Sequence, residues 1–432
     1  MKKSILLLLV LAGVSFFTSC QKEVESATYN EPTAIEATLK TNRISLKEAI
    51  EIATDGIAML ESSDITRANS SRRIDPNLVE YKINPATRAG EYADTLYYVI
   101  NYADNAGFAV VSTTRTNENP LLVVTEAGNY TPGEETTSEG FNMYMDLLDA
   151  SMSRERSGID PNPPAGPTTE DSVEEFNVGP FLSVKWGQEY PYNMYCPPYY
   201  ADSTARYDAG CVATAIAQIM SYYEYPSQLT LTYVEETPPP TQYLDWNTIK
   251  SHVGGLSSCN CTDHTQLAHL IAEVGKRANT TYTANGSGSS MYSSLRCFED
   301  LGYNLDVSDS FYSFTLAKRE LNNNRPVYMI GFLPTNDKGH AWVADGYKQI
   351  NYIQTTYEYE LNGRPVIVDQ TITTQYYLHL NWGWDGCNNG YFYEGVFKTD
   401  EPYILDAGSS ISTHYDLGTY VTMITNLSSP SN

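Results

Sequence analysis

The 432-residue chain predicts an α+β fold, with helices early and strands late in its larger, C-terminal part. Three observations carry that expectation. Apolar residues recur at helical spacing from Val212 to Tyr223, and helix patterns return over Thr265–Ala278 and Met291–Leu301. Strand-like runs then follow at Pro326–Phe332, His340–Tyr347, Tyr352–Leu361, Pro365–Thr373, Tyr376–Trp382 and Tyr391–Glu394. A smaller α+β segment precedes these, set off by a stretch containing Pro161, Pro163, Pro164 and Pro167, which can hold neither a helix nor a sheet interior.

Lys2 and Lys3 ahead of the apolar run Ile5–Phe17 make residues 1–20 an export signal. The run is too short to span a bilayer, which needs about 20 apolar residues. Thr18 and Ser19 put small residues before Cys20. Residues 21–44, polar and acidic, read as a tether. In residues 45–156, Leu46, Ala49, Ile50, Ala53, Ile57 and Leu60 form one face of a helix with Ser45 as its N-cap. A polar stretch, 62–78, follows, then strands at Thr95–Tyr102, Gly107–Thr113 and Leu121–Thr125 and a second helix over Gly140–Ser153. Residues 157–178 read as an exposed linker, where proteolytic nicking concentrates. Residues 179–432 form the larger unit, with Gly286–Ser290 as a flexible loop.

The formal net charge of −25 argues against nucleic acid or an anionic lipid surface as partner. Tyrosine outnumbers phenylalanine 35 to 12, a bias that suits extracellular, strand-rich proteins. Of seven cysteines, setting aside Cys20 and a reactive Cys211 leaves five, enough for two disulfides at most. Cys259 and Cys261 approach metal-ligand spacing, and His264 and His269 lie nearby, but no second Cys/His pair stands at finger-like distance. No metal or organic cofactor is expected.

Cys211 follows Gly210 at the first turn of the first of these helices, where the helix dipole and free N–H groups shift a thiol towards thiolate. A lone cysteine there is more often a packing residue, so the case rests on its companions. His340 opens a strand directly after Gly339, a position that projects an imidazole into a cleft as general base. His379 reads instead as a strand-face residue, and His252, His264, His269 and His414 sit in polar contexts. Asn381 can orient an imidazole, with Trp382 shielding the bond from water. Gln188, in Trp186-Gly187-Gln188, can donate to an oxyanion together with the Cys211 N–H.

Gly210–Gln218 running on to Pro226, Gly339–Gly346, Asn381–Trp384 and Trp186–Gln188 together resemble the streptopain family of cysteine proteases. Tyr190–Asn193, Cys196-Pro197 and Pro326–Tyr328 add to the likeness, which covers roughly 179–400. The resemblance implies a papain-like fold, Cys211 as nucleophile, His340 as base and acid, Asn381 orienting it, Trp382 covering that bond, and Gln188 in the oxyanion hole. It also implies a substrate cleft lined by Gly286, Ser287, Gly288, Ser289 and Gly339, and no cofactor. Tyr98–Asn101 and Gly107–Ser112 resemble the family's propeptide. That implies a zymogen whose residues 45–156 block the cleft or misalign His340. Asp385 departs from the pattern, standing where the family usually has a second glycine, and Gln349–Tyr376 looks like an added hairpin. Residues 1–20 resemble a lipoprotein signal with Cys20 as the lipidated residue, and Gln21-Lys22-Glu23 the surface-export tag of Bacteroidota lipoproteins. The expectation is a secreted or surface-anchored cysteine endopeptidase with protein or peptide substrates and its own prodomain as inhibitor. The competing readings are a transglutaminase-like acyl transferase, whose histidine is usually oriented by Asp, and a non-catalytic surface binding lipoprotein.

Overall fold

The computed structural model describes residues 43–61, 72–83, 95–114, 120–155, 169–200, 204–255, 263–332, 339–359, 365–397 and 421–430. The expected signal with Cys20, the tether up to residue 42, the proline-rich part of the linker, and Cys259 and Cys261 lie outside the described residues. Residues 42–432 group into one compact unit.

Helix α1 (Leu46–Glu61) begins with a capping box. Glu48 accepts from the Ser45 backbone N–H at 2.9 Å, and the Glu48 N–H donates to Ser45 Oγ at 3.3 Å. Ala49, Ala53 and Ile57 then bury one face against strands β2 (Thr95–Tyr102), β3 (Phe108–Ser112) and β4 (Leu121–Thr125). Strand β1 (Ile74–Ile83) precedes these and overlaps the end of the polar stretch 62–78. It contains Pro76, and its pairing with β2 breaks register between Ile74 and Val79, an irregularity that accommodates a residue with no N–H to give. Helix α2 (Glu139–Glu155) starts where Ser138 Oγ accepts from the Phe141 N–H at 3.4 Å.

Strand β5 (Thr169–Val178) corrects the reading of 157–178 as linker throughout. Its ten residues pair antiparallel with residues 347–356. The helical layer follows. Helix α3 (Cys211–Tyr223) is buried from Cys211 to Ser221, and Ala213, Ala215 and Ala217 let neighbours approach it on all sides. Helices α4 (Trp246–Ser251), α5 (Thr265–Arg277) and α6 (Met291–Asp300) surround it, sharing one core with it. A small hairpin of β6 (Gln228–Thr230) and β7 (Thr241–Tyr243) lies between α3 and α4 in the chain. The expected flexible loop at Gly286–Ser290 instead carries strand β9 (Gly286–Gly288), paired with β8 (Thr281–Thr283).

The rest is β10 (Asn304–Phe311), α7 (Phe314–Asn322), β11 (Val327–Phe332), β12 (Gly339–Tyr359), β13 (Pro365–Asn381), β14 (Gly390–Tyr393) and β15 (Val421–Ser428). The separate runs expected across 340–382 are two long strands, β12 and β13, forming the added hairpin. One antiparallel sheet runs β1-β2-β3-β4-β14-β13-β12-β11-β15-β10, with β5 lying beside the far half of β12. The N-terminal strands and the C-terminal strands therefore share a single sheet, joined where β4 meets β14. The fold is α+β, and the cysteine-bearing helix packs its apolar side on Tyr328, Ile330, Ala341, Val343 and Ile424 of the sheet. On the sheet's other face, Phe141 and Tyr144 of α2 pack with Trp342, Trp382 and Phe392.

Candidate active site

Gly210 caps α3 at φ 91°, and a Cβ there would lie 2.7 Å from the Ser287 carbonyl oxygen. Only glycine fits both constraints, so the residue before Cys211 is dictated by the backbone of β9. Cys211 is thereby held at a helix N-terminus against the start of β12. His340, the second residue of β12, faces the same space. Both line a cleft of about 540 Å³ whose other walls include Gly286, Ser287, Gly288, Ser289, Gly339 and Glu139. All five residues expected to bind substrate are thus in the cleft wall. Gln188, Asn381 and Trp382 are not; they sit behind it, each less than a twentieth exposed.

The chemistry of the pair is not the one its local sequence suggests. Burial pushes the Cys211 thiol up to about 11, against an Ala341 backbone hydrogen bond that favours thiolate and with the Glu139 carboxylate opposing it. The expected shift towards thiolate is therefore reversed: exclusion of water outweighs the helix dipole. Burial likewise lowers His340 to about 4. Its Nε2 donates to the Trp382 carbonyl at 2.8 Å, so in the neutral ring Nδ1 is the unprotonated nitrogen. Nδ1 is buried without a hydrogen-bond partner, 3.9 Å from Glu139 Oε2.

Asn381 does not orient His340 in this arrangement. Its Nδ2 donates to the Val184 carbonyl at 2.9 Å, and its Oδ1 accepts from the Gly383 N–H at 3.2 Å. Trp382 accordingly meets His340 through its carbonyl rather than by shielding a His340–Asn381 bond. Gln188 Nε2 is turned to the Gly383 carbonyl at 3.4 Å. The Trp382–Gly383 backbone thus collects the polar groups of both His340 and Gln188.

What closes the site comes from α2. A Cβ on Gly140 would lie 2.3 Å from His340 Cδ2 and 2.5 Å from Trp382 Cε3, so this helix start presses directly on the imidazole. Glu139 and Gly140 were not singled out from the sequence beyond the helix they begin. The only local signal was the N-capping Ser138 that places them.

Residues 186–392 match the Peptidase C10 family. That segment belongs to the Peptidase C10 family. It holds Cys211, His340, Asn381 and Gln188, and the chain is a streptopain-like cysteine peptidase. Streptopain of Streptococcus pyogenes is 24% identical over 344 residues, covering 72% of this chain and 77% of its own length. Thiol protease/hemagglutinin PrtT of Porphyromonas gingivalis is 23% identical over 404 residues, covering 81% of this chain but 42% of its own length. Among solved structures, a fragment of Prevotella intermedia prointerpain A has a TM-score of 0.49 at 21% identity, covering 80% of this chain and 98% of that one. Active interpain A of the same organism has a TM-score of 0.38 at 22% identity, covering 58% and 94%.

Proposed function

We propose that the chain is an exported cysteine endopeptidase in its latent form, with residues 45–156 as an inhibitory prodomain. One observation carries this reading: Glu139 lines the cleft beside Cys211 and His340, and Gly140 is packed against the His340 ring. Burial raises the thiol and lowers the imidazole, which favours the neutral pair over a thiolate–imidazolium pair. Release of α2 admits water, removes the Glu139 charge and frees His340 to turn from the Trp382 carbonyl. Asn381 then orients the ring, and Trp382 covers that contact.

In the open form the Cys211 thiolate attacks a peptide carbonyl carbon, and the C=O electron pair moves to oxygen. The Cys211 N–H and Gln188 Nε2 stabilise that oxyanion. Collapse expels the amine, which takes its proton from the His340 imidazolium and leaves an acyl-thioester. Neutral His340 then removes a proton from water, whose oxygen attacks the acyl carbon. Collapse releases the acid product and restores the thiolate–imidazolium pair. Gly286–Ser289 and Gly339 would border the bound peptide, and the family likeness favours a hydrophobic side chain at the second residue before the cut.

Thr169–Val178 is hydrogen-bonded into the sheet along its length, which favours an activating cut before Thr169. Cys20 as a lipid anchor at the outer membrane or cell surface rests on the sequence alone. The test is labelling with a thiol-reactive epoxide inhibitor, mapped by peptide, before and after limited proteolysis. Cys196, Cys297 and Cys387, all free, serve as internal controls. Selective labelling of Cys211 that accelerates after the cut is expected. Labelling of Cys211 no faster than of the other thiols in the cut, folded protein would overturn the peptidase assignment of Cys211.

A further inference from the structure

Where β4 joins β14, the contact ends in charge. Val123, Val124 and Thr125 pair with Phe392, Tyr391 and Gly390, and the Glu126 N–H donates to the Asn389 carbonyl at 2.8 Å. The Glu126 side chain, only 17% exposed, then turns into the catalytic segment and pairs with Lys185 Nζ through Oε2. Its Oε1 lies 3.4 Å from His379 Nε2. The other ring nitrogen, Nδ1, is 2.6 Å from Asp345 Oδ1, and Asp345 Oδ2 accepts from the Leu182 N–H at 2.9 Å. Both imidazole nitrogens face carboxylate oxygens, so both donate and the ring is charged. The remaining close neighbour is the Tyr391 ring, edge-on at 5.0 Å, with Lys348 above that ring.

We propose that Lys185, His379 and the β14 edge form a docking surface for an extended strand that ends in a carboxylate, filled in this chain by Val123–Glu126. The inference rests on the prodomain reading. His379 keeps the fixed carboxylate Asp345 beside it, whereas Lys185, its side chain 25% exposed, pairs with Glu126; a strand without an acid at its end would leave that partly buried positive charge uncompensated. None of the four residues lines the substrate cleft, so the surface is separate from the site of chemistry. The rest of this junction is apolar, with Tyr377 and Tyr391 packed among Ala53, Val111, Leu121 and Val124. Such a surface attracts without fixing register, and a slip of one residue turns every side chain to the wrong face. The carboxylate supplies the register, a role for which buried ion pairs are best attested. Removal of β4 leaves β14 as an edge strand beside an empty cationic socket.

The experiment measures the rate of epoxide labelling at Cys211 in the uncut, full-length chain. Glu126→Ala and Lys185→Ala are each expected to speed labelling by about 100-fold, the loss that follows from stranding one partner of a buried pair. Glu126→Ala combined with Lys185→Ala is expected to add little beyond either single variant, because the two share one ion pair. Slow labelling of Cys297, buried in the helical core, marks a variant as folded. Glu126→Gln, which keeps the shape and loses the charge, stands in for any variant that fails that check. Wild-type rates in folded single variants, or a double variant accelerated by the product of the two singles, would overturn the proposal. The cut wild-type chain separates the two claims: if cutting does not accelerate labelling, the zymogen reading fails whatever Glu126 does.

Discussion

His340 and His379 stand on neighbouring strands, both almost wholly buried, and their protonation is driven in opposite directions. His340 donates to one backbone carbonyl and has the half-exposed Glu139 carboxylate no nearer than 3.9 Å, so burial decides and the ring is lowered to about 4. His379 is penalised by the same burial, but Asp345 and Glu126 outweigh it and raise the ring to about 9. The difference teaches that burial sets a cost and the partners set the sign. It also divides the labour: an unpaired buried imidazole is held for chemistry, and a paired one holds the structure together.

The sharpest way to break that division is to delete each ring. His340→Ala in the cut enzyme is expected to lower kcat/KM by about 10⁴-fold, the scale seen when a triad base is lost or held in the wrong tautomer. Its thermal midpoint should hardly fall, because no ion pair goes with it. His379→Ala should do the reverse to stability, leaving Asp345 and Glu126 buried without their shared cation at a cost of about 3–5 kcal/mol. Urea unfolding of the uncut chain measures the second. Equal stability losses in the two variants would contradict the comparison.

A smaller effect comes from pH, and the two rings act at opposite ends. His340 is lowered from 6.5, so the closed form binds fewer protons there than the opened form; its stability falls as pH drops below 6.5 towards about 4. His379 is raised, so its contribution is complete below 6.5 and is lost as pH rises through about 9. Glu126, held well below the usual carboxylate range against the opposing effect of burial by His379 and Lys185, keeps its pairing into acid. The melting temperature of an uncut Cys211→Ala chain should therefore peak between these limits and fall on both sides. A midpoint that falls only at acid pH would remove His379 from the account.

Much of this was legible in the residues themselves, and the limits are physical. The helix behind Cys211 and the capping Ser45 follow from local pattern; the cleft-lining place of Gly286–Ser289 comes from the family likeness, its local pattern suggesting a flexible loop where a strand forms. Strand β5 does not, because Thr169–Val178 is acidic and becomes a strand only by pairing with β12. Strand β15 was missed because it lies between β11 and β10, buried at all but a few positions, and so shows little alternation. The Cys211 thiol was misjudged because its local cue, a helix N-terminus, is overridden by residues far away in the chain. His379 was read correctly as a strand-face residue. Its second partner, Glu126, is 253 residues distant, and no local pattern announces it.

The smallest expected effect lies behind both rings, at Asp385. Its backbone is left-handed, at φ 53°, which accounts for the glycine usual in the streptopain family and makes aspartate one of the few tolerable replacements. The side chain repays that strain. Asp385 Oδ1 accepts from Tyr192 Oη at 2.7 Å and from the Gly255 N–H at 3.0 Å, while its own N–H donates to the Trp186 carbonyl at 3.3 Å. Two separate segments, 186–192 and the one ending at Gly255, are tied to the turn that follows Asn381, and the first contains Gln188. If Gln188 stabilises the oxyanion, loosening that tie should blur the transition state more than substrate binding. Asp385→Gly relieves the backbone but removes both acceptor contacts; in the cut enzyme kcat is expected to fall about tenfold with KM nearly unchanged, since transition-state contacts alone are weakened. Asp385→Asn, which keeps Oδ1 and tolerates the same φ, should retain most of the activity. Tyr192→Phe should lose part of it, and add little further loss to Asp385→Gly, because the two share one hydrogen bond. Full activity in Asp385→Gly would mean that the turn holds Gln188 by its backbone alone, and that the aspartate here serves only the fold.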